Sequence, residues 1–137
     1  MSNIEAARAF FEACETGKGG EVCKEWCHDG ATFSAQCDAL ADVATVAAYA
    51  DWMTGLLVPL PDGHYELKSF AEDSARGNVT VAAVFHGTHT VDAGTGAPTG
   101  KSVAADYVYV MDFEAGKIRH MTKIRNDMHS LKQLGWA

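Results

Sequence analysis

The sequence predicts one α+β domain that spans residues 1–137. Apolar residues recur at helical spacing up to about residue 57, whereas from His64 onward they alternate as in half-buried strands. A chain of 137 residues, 47% of them hydrophobic, fits one globular domain with its own core rather than two. Helices followed by antiparallel strands predict a sheet with the helices packed on one face.

The first helix is predicted over residues 4–16, with Ser2 or Asn3 as its N-cap and Gly17 at its end. Its apolar positions recur at the spacing of one helical face. They are Ile4, Ala7, Phe10, Phe11 and Cys14. A second, shorter helix is predicted over residues 21–27.

The third helix is predicted to begin after Asp38 or Asp42, either of which is a suitable N-cap, and to stop before Pro59 and Pro61. Its apolar side includes Tyr49 and Met53. A short alternating run over residues 31–35 precedes it and is typical of a strand.

Four strands are predicted from His64 onward, separated by turns rich in glycine, asparagine and aspartate. They are His64–Asp73, 79–91, 102–113 and 117–126. A closing helix over residues 128–134 ends before Gly135. This order predicts a meandering antiparallel sheet.

Side chains of the last strand divide sharply between its two faces, because alternate residues of a strand point to opposite sides. One row comprises Lys117, Arg119, Met121, Lys123, Arg125 and Asp127, and the other comprises Ile118, His120, Thr122, Ile124 and Asn126. The charged row is predicted to face solvent or a subunit interface, and the second row to face inward. Polar groups among inward isoleucines need partners, so a cavity that holds water or ligand is predicted beside them.

The charge balance argues against a nucleic acid or an anionic membrane as partner. The chain has 11 basic and 18 acidic residues, a net charge of −7, and no basic cluster. No run approaches the roughly 18 apolar residues of a membrane span, and the first residues lack a signal-peptide pattern. We therefore expect a cytoplasmic protein.

The four cysteines lie in the first quarter of the chain, at Cys14, Cys23, Cys27 and Cys37. Cys23 and Cys27 would share a helical face, but no second close pair completes the four-ligand set that zinc prefers. We predict reduced thiols and no metal.

Five short segments of the C-terminal half together resemble the signature of SnoaL-like polyketide cyclases, a family of the nuclear transport factor two-like (ketosteroid isomerase-like) superfamily. The segments are residues 85–90, 97–101, 116–118, 126–127 and 133–136. The resemblance implies a cystatin-like α+β barrel, in which a curved antiparallel sheet wraps around the helices to form a conical pocket. It also implies pairing of two subunits through the sheet and catalysis without metal or organic cofactor.

In the SnoaL-like cyclases, an aspartate near the end of the last strand is the acid/base for an intramolecular aldol closure. Anchoring this chain on Gly116 and Gly135 places Asn126 at that position, and a one-residue bulge would bring Asp127 inward instead. An amide cannot act as a general acid or base near neutral pH, but its N–H groups can donate a hydrogen bond to an oxyanion. The alternative is that one of the two residues is the N-cap of the closing helix.

Two further residues are candidates for proton transfer. His120 belongs to the predicted inward row, and Asp106 lies within an apolar strand that would raise its pKa if it were unpaired. The alternatives are structural: Asp106 at a sheet edge or paired with Lys101, Lys123 or Arg125, and His120 satisfied by its neighbours.

The remaining candidates are predicted to line the pocket and bind substrate. Tyr107 and Tyr109 share a face and carry hydroxyls that can donate to an oxyanion, although ordinary sheet packing is the alternative. His86 and His89 are three apart, so at most one of them joins the cavity. The full set is Tyr49, Trp52, Met53, Phe85, His89, Tyr107, Tyr109 and Thr122.

Three functions remain open at this point. The chain is a cofactor-free enzyme of the cyclase, isomerase or dehydratase type, a binding protein for a small apolar or carbonyl-containing ligand, or a structural module. Residues 107–111 carry apolar side chains on both faces of their strand, so both faces need to be buried. We therefore predict that the face not packed against the helices is buried by a second subunit, in a homodimer.

Overall fold

The structure, a computed structural model, describes residues 1–94 and 96–137. The helices are α1 (Asn3–Glu15), α2 (Gly20–Cys23), α3 (Val46–Leu56) and α4 (Asp127–Leu134). The strands are β1 (Cys27–Ala35), β2 (His64–Asp73), β3 (Asn78–Thr88), β4 (Ser102–Glu114) and β5 (Lys117–Arg125). Short 3₁₀ turns lie at Lys24–Trp26 and Asp38–Leu40. The predicted α+β class is confirmed, and β2 has the predicted bounds.

The five strands form one curved, unclosed sheet in the order β1-β5-β4-β3-β2. Strands β2 to β5 pair in antiparallel fashion, as predicted. Strand β1, whose pairing was not predicted, pairs with β5 in parallel and forms an edge of the sheet. Its alternating pattern specifies a strand, whereas its direction is set by the long connection through α3 to β2.

Helices α1 and α3 pack against one face of the sheet and form the main core with it. Ser2 caps α1 in a reciprocal capping box with Glu5, so both ends of the pair satisfy backbone groups. Phe11 of α1 packs edge-on against Tyr109 of β4, with ring centroids 5.3 Å apart. We call this helix-covered side of the sheet the inner face and the opposite side the outer face.

A bulge in β5 reverses the predicted orientation of most of that strand. Ile118 pairs with Phe113, but His120 pairs with Asp112, so Arg119 is an extra residue. Since side chains alternate with a period of two, one extra residue exchanges the faces of everything after it. Ile118 and Met121 are therefore both fully buried although they are three residues apart.

The predicted faces of β5 are therefore wrong beyond Ile118. His120 and Thr122 lie on the outer face, where Ile124 is 57% exposed. Lys123, from the row predicted to meet solvent, points inward and is 5% exposed.

Helix α4 begins and ends with the caps that its sequence supplies. The Asn126 side chain accepts a hydrogen bond from the backbone N–H of His129 (3.2 Å), and Gly135 ends the helix with φ of 74°. Helix α3 is capped by Thr45, whose Oγ1 accepts from Ala48 N at 3.1 Å. The predicted caps Asp38 and Asp42 were wrong.

None of the helices in the described part of the chain is both long and apolar enough to cross a bilayer.

Candidate active site

A pocket with a cavity volume of about 150 Å³ lies on the inner face, between α3, α4 and strands β3 to β5. Its wall is mostly apolar, and includes Trp52, Met53, Leu56, Leu60, Phe85 and Leu134. The polar residues of its lining are Glu15 of α1, Asp106 and Tyr107 of β4, Lys123 and Arg125 of β5, and Ser130 of α4, besides the indole groups of Trp52 and Trp136. An apolar cavity with a few convergent polar groups is typical of a small-molecule site.

Glu15 is the last residue of α1 and brings a carboxylate into the core. It is 3% exposed. The Tyr109 hydroxyl donates to its Oε2 at 2.6 Å, and the Tyr107 hydroxyl donates to its Oε1. Burial raises the pKa of Glu15, while the nearby Lys123 and the two tyrosine hydroxyls oppose the rise. At a given pH, a larger fraction of the Glu15 carboxyl group is therefore protonated than in an exposed glutamate.

Lys123 is the basic counterpart of Glu15 across the same buried region. Burial lowers the pKa of Lys123 to about 8, with the negative charge of Glu15 opposing that shift and Arg125 adding to it. A lysine with such a pKa exchanges protons near neutral pH, where an exposed lysine stays charged.

Four aromatic rings surround the Lys123 ammonium. The distances from Nζ to the ring centroids of Tyr49, Tyr107, Trp52 and Tyr109 are 4.7, 5.2, 5.5 and 5.7 Å. Aromatic faces attract a cation within about 6 Å. The rings therefore replace part of the stabilisation that water would give the Lys123 ammonium.

Two tyrosine hydroxyls connect the lysine to the carboxylate. Lys123 Nζ donates to the Tyr49 hydroxyl at 2.5 Å, and the Tyr49 and Tyr109 hydroxyls are 2.6 Å apart. The Tyr109 proton is committed to Glu15, so Tyr109 must accept from Tyr49. The chain therefore runs in one direction, from the ammonium through two hydroxyls to the carboxylate, and can carry a proton between them.

Ser130 supplies a second polar group at the pocket wall. It lies in α4 and is 5% exposed. In the described part of the chain its Oγ has no hydrogen-bond partner. A buried hydroxyl without a partner lowers the stability of the fold, and a ligand that hydrogen-bonds to it would remove this penalty on binding.

Four of the predicted substrate-binding residues line the pocket: Trp52, Met53, Phe85 and Tyr107. Tyr49 and Tyr109 are fully buried behind its wall and act through the hydrogen-bond chain. For these six residues the structure brings together side chains that the sequence analysis grouped.

Two predicted residues, His120 and Thr122, lie outside the pocket, and a third, Asp106, has a side chain exposed to solvent. His120 hydrogen-bonds on the outer face with the hydroxyls of Thr32 (2.7 Å) and Ser34 (3.1 Å), and Thr122 shares that face with it. Asp106 is among the residues that line the pocket, but its side chain is 85% exposed, and its Oδ1 lies 3.8 Å from Lys68 Nζ. The bulge in β5 explains the first two errors, and the alternation of β4 beside inward Tyr107 explains the third.

His89 is fully buried, but it lies behind the pocket wall and not in it. Its Nδ1 accepts from the Thr99 backbone N–H and from Trp136 Nε1, each at 3.1 Å. Its Nε2 lies 3.0 Å from the Val91 carbonyl oxygen, to which it donates. The predicted contact of His89 with substrate was wrong, because the ring anchors the C-terminal tail to the loop after β3.

Asn126 and Asp127 both have structural partners at the start of α4. Asn126 is the N-cap, and Asp127 Oδ2 accepts from the Ala39 backbone N–H at 3.0 Å. No inward bulge at Asp127 is formed. The alternative of a helix cap is therefore the one that the structure supports for Asn126.

The sequence analysis missed Glu15 and Ser130 and assigned Lys123 to the wrong face. A signal for Glu15 was available: it follows Phe11 by four residues and so continues the apolar stripe of α1. Lys123 had no such local signal, because its inward position depends on the bulge at Arg119, which is a property of the paired strands β4 and β5.

The four cysteines are free thiols. A second cavity, of about 330 Å³, lies against Cys23, Cys27 and His28. Across residues 1–94 and 96–137, no three histidine, cysteine, aspartate or glutamate side chains are grouped closely enough to hold a metal ion.

Comparison with known proteins agrees with this architecture. The family model described as the SnoaL-like domain matches residues 7–121. Among solved structures, the candidate hydroxylase AclR from Streptomyces galilaeus is 18% identical, with 98% of this chain and 82% of that chain covered and a TM-score of 0.77. The candidate polyketide cyclase IdmH from Streptomyces antibioticus is 19% identical, with 98% and 99% covered and a TM-score of 0.75.

A cystatin-fold protein from Novosphingobium aromaticivorans is 20% identical, with 91% and 99% of the two chains covered and a TM-score of 0.67. At these identities the likeness to solved structures shows the fold. No curated protein matches the sequence.

Proposed function

Because the chain belongs to the SnoaL-like domain family, we propose that it is a cofactor-independent acid–base enzyme of the cyclase, isomerase or dehydratase type. The substrate we propose is a small apolar metabolite with a carbonyl group. One observation carries the proposal: the apolar pocket contains a buried carboxyl group, Glu15, and a buried amine, Lys123, whose pKa values are both displaced toward neutrality. Such opposed shifts are typical of groups that exchange protons with a substrate.

The proposed reaction begins with removal of a proton next to the carbonyl. The Glu15 carboxylate takes a proton from the α-carbon, and the electrons of that C–H bond form an enolate. The Lys123 ammonium donates to the enolate oxygen and stabilises its charge, in a site where little water competes. The enol or enolate then attacks a second electrophile, is reprotonated elsewhere, or expels a leaving group, according to the substrate.

The size and polarity of the pocket limit the proposed substrate. A cavity of about 150 Å³ is comparable to one that binds benzene, so it accommodates one ring with short substituents. The apolar wall favours an aromatic or aliphatic body, and Arg125 near the wall favours an acidic or enolic group. The Ser130 hydroxyl selects for a second hydrogen-bonding group.

A non-catalytic ligand-binding protein is the second candidate, and Asn126 favours it. In the SnoaL-like cyclases an aspartate at this position performs the acid/base step, whereas here an amide caps α4. The same pocket would then hold a carbonyl compound without converting it.

Exchange of α-protons for deuterium distinguishes the two candidates. Acetophenone and small cyclic ketones are incubated with the protein in D₂O, and loss of the α-proton signal is followed by NMR. We expect exchange above the buffer rate with the wild type, and a loss of about 10²- to 10⁴-fold in Lys123→Met and Glu15→Gln.

Two exposed residues provide matched controls. Lys117→Met changes the same residue type in the same strand, and Glu25→Gln removes a carboxylate from the exposed 3₁₀ turn. Both should retain wild-type exchange. Ketone binding by the wild type without any exchange would instead support the binding protein.

A further inference from the structure

We propose that Lys123 captures its carbonyl ligand covalently, as an imine between Nζ and the carbonyl carbon of an aldehyde or ketone. The inference rests on the proposed function in one respect, that the ligand carries a carbonyl group. It goes further, because the lysine becomes a nucleophile rather than only a proton donor.

The position of Lys123 meets the first requirement for imine formation, an amine inside an apolar ligand cavity. Its side chain lines the pocket, yet only 5% of the residue is exposed. Bulk water therefore has little access to Nζ, which protects an imine from hydrolysis. The surrounding rings stabilise the cationic iminium in the same way as they stabilise the ammonium.

The hydrogen-bond chain meets the second requirement, a place for the proton that the amine must lose. Lys123 donates to Tyr49, Tyr49 to Tyr109, and Tyr109 to Glu15, so a shift of one proton along each link leaves a neutral amine and a protonated carboxyl group. The amine is thus formed without a base from solvent. In this arrangement Tyr49 and Tyr109 are positioning residues.

The charged and polar groups that face Nζ come from four parts of the molecule besides β5. Glu15 and Cys14 lie on α1, Cys37 lies in the segment after β1, and the tyrosine hydroxyls come from α3 and β4. Arg125 lies on β5 itself and disfavours a second positive charge at Nζ. With a pKa of about 8, roughly 10% of Lys123 is a neutral amine at pH 7, against roughly 0.03% of an ordinary lysine.

The covalent step balances with the groups present. The amine lone pair forms the N–C bond, the carbonyl π electrons move to oxygen, and an N–H proton moves to that oxygen to give a carbinolamine. The proton stored on Glu15 returns along the tyrosines, the C–O bond breaks with release of water, and the nitrogen lone pair forms the C=N bond. The net change converts an ammonium and a carbonyl compound into an iminium and water.

Reductive trapping tests the proposal. The full chain is incubated at pH 7 with benzaldehyde, cinnamaldehyde or acetophenone and reduced with sodium borohydride, and the modified peptide is identified by mass spectrometry. We expect one adduct per chain, at Lys123, formed about 300-fold faster than by an ordinary lysine, in proportion to the neutral amine fractions. The labelling rate should rise with pH and level off above about 8.

The variants Lys123→Arg and Lys117→Arg form a matched pair, because both keep a positive charge on β5. The first should lose the adduct and the second should keep it, with melting curves that establish folding. Tyr49→Phe removes the first link of the proton chain and should slow labelling about tenfold at pH 7, with less effect at pH 9, where most of Lys123 is already a neutral amine.

Labelling spread evenly over exposed lysines, or an unchanged adduct in Lys123→Arg, would overturn the proposal, as would no adduct at Lys123 with all three probes. The outcome is separable from that of the exchange assay. Exchange without trapping refutes the imine alone, whereas trapping without exchange refutes the proposed acid–base function and leaves the imine in place.

Discussion

The two faces of β5 carry similar polar side chains that serve different purposes. On the outer face, His120 hydrogen-bonds with Thr32 and Ser34 within reach of solvent. On the inner face, Lys123 is fully enclosed by aromatic rings and linked to a carboxylate through two hydroxyls. On the inner face, burial is the largest cause of the lowered pKa of Lys123, and this enclosure suits the amine to chemistry.

A single extra residue separates these two outcomes. Without the bulge at Arg119, the alternation of β5 would place His120 inward and Lys123 in solvent. Thr122 would then stand opposite Tyr109 in place of the lysine, and Glu15 would lack its opposite charge.

The largest expected difference between the two faces is in activity. Lys123→Met should lower α-proton exchange by about 10²- to 10⁴-fold, because it removes the group that stabilises the enolate oxygen. His120→Ala and Thr122→Val should leave exchange within about twofold of wild type, because neither side chain reaches the pocket. A loss of α-proton exchange in His120→Ala as large as in Lys123→Met would indicate that the active site is on the outer face.

The next difference is in packing. Met121 is fully buried on the inner face, so Met121→Ala should lower the free energy of unfolding by about 2 to 5 kcal/mol. Ile124 is 57% exposed on the outer face, and Ile124→Ala should change the stability of the monomer by no more than about 0.5 kcal/mol. Urea denaturation at low protein concentration measures both. Equal losses in the two variants would place both side chains in the core.

The pH dependence of stability sharpens the comparison through Lys123. Its folded pKa of about 8 lies below the ordinary value of 10.5, so between these pH values the unfolded chain binds more protons than the native one. Stability relative to Lys123→Met should therefore rise by about 3 kcal/mol as pH increases from about 8 to about 10.5, and be lost again as pH falls through 8.

Glu15 contributes in the opposite sense, since its pKa is raised by burial. Its contribution is fully present below the ordinary pKa of 4.5 and is lost as pH rises through the folded value. Chemical denaturation across pH 4 to 11 measures both effects. Parallel curves for wild type and Lys123→Met would contradict the burial of the lysine as a charged group, with Lys117→Met as the exposed control.

The smallest expected effect concerns association of the outer faces. Half-buried Val108 and Val110 of β4 lie beside exposed Ile124 on this side, and we predict that two copies pair through it to form a homodimer. Ile124→Lys should weaken the dimer by about 10- to 100-fold in Kd, because it places a charge in the interface. Sedimentation velocity from nanomolar to micromolar concentration measures this, and a wild-type monomer throughout that range would refute the dimer.

Local sequence patterns were enough to predict most of the elements. Strand β2 has the predicted bounds, and the closing helix differs by one residue, because turns and caps mark these ends. The parallel pairing of β1 was not predictable in the same way. It depends on a partner about 90 residues away in the sequence, and alternation within β1 does not identify that partner.

The site was predicted less well than the fold, for a physical reason. Trp52, Met53, Phe85 and Tyr107 were found because apolar and aromatic residues on a helix or strand face belong to a core or a pocket wall. Lys123 was misplaced because a bulge is a property of two paired strands and leaves no mark in one of them. Glu15 could have been predicted from the sequence, since a carboxylate in the apolar stripe of α1 must have buried polar partners.

The protonation of Lys123 is measured by titrating its side chain with ¹³C-labelled lysine, the signal being assigned by its absence in Lys123→Met. We expect a midpoint near pH 8, and a lower midpoint in Glu15→Gln because the negative charge that favours the ammonium is removed. A Lys123 midpoint at or above pH 10 would contradict an enclosed, reactive lysine on the inner face of β5.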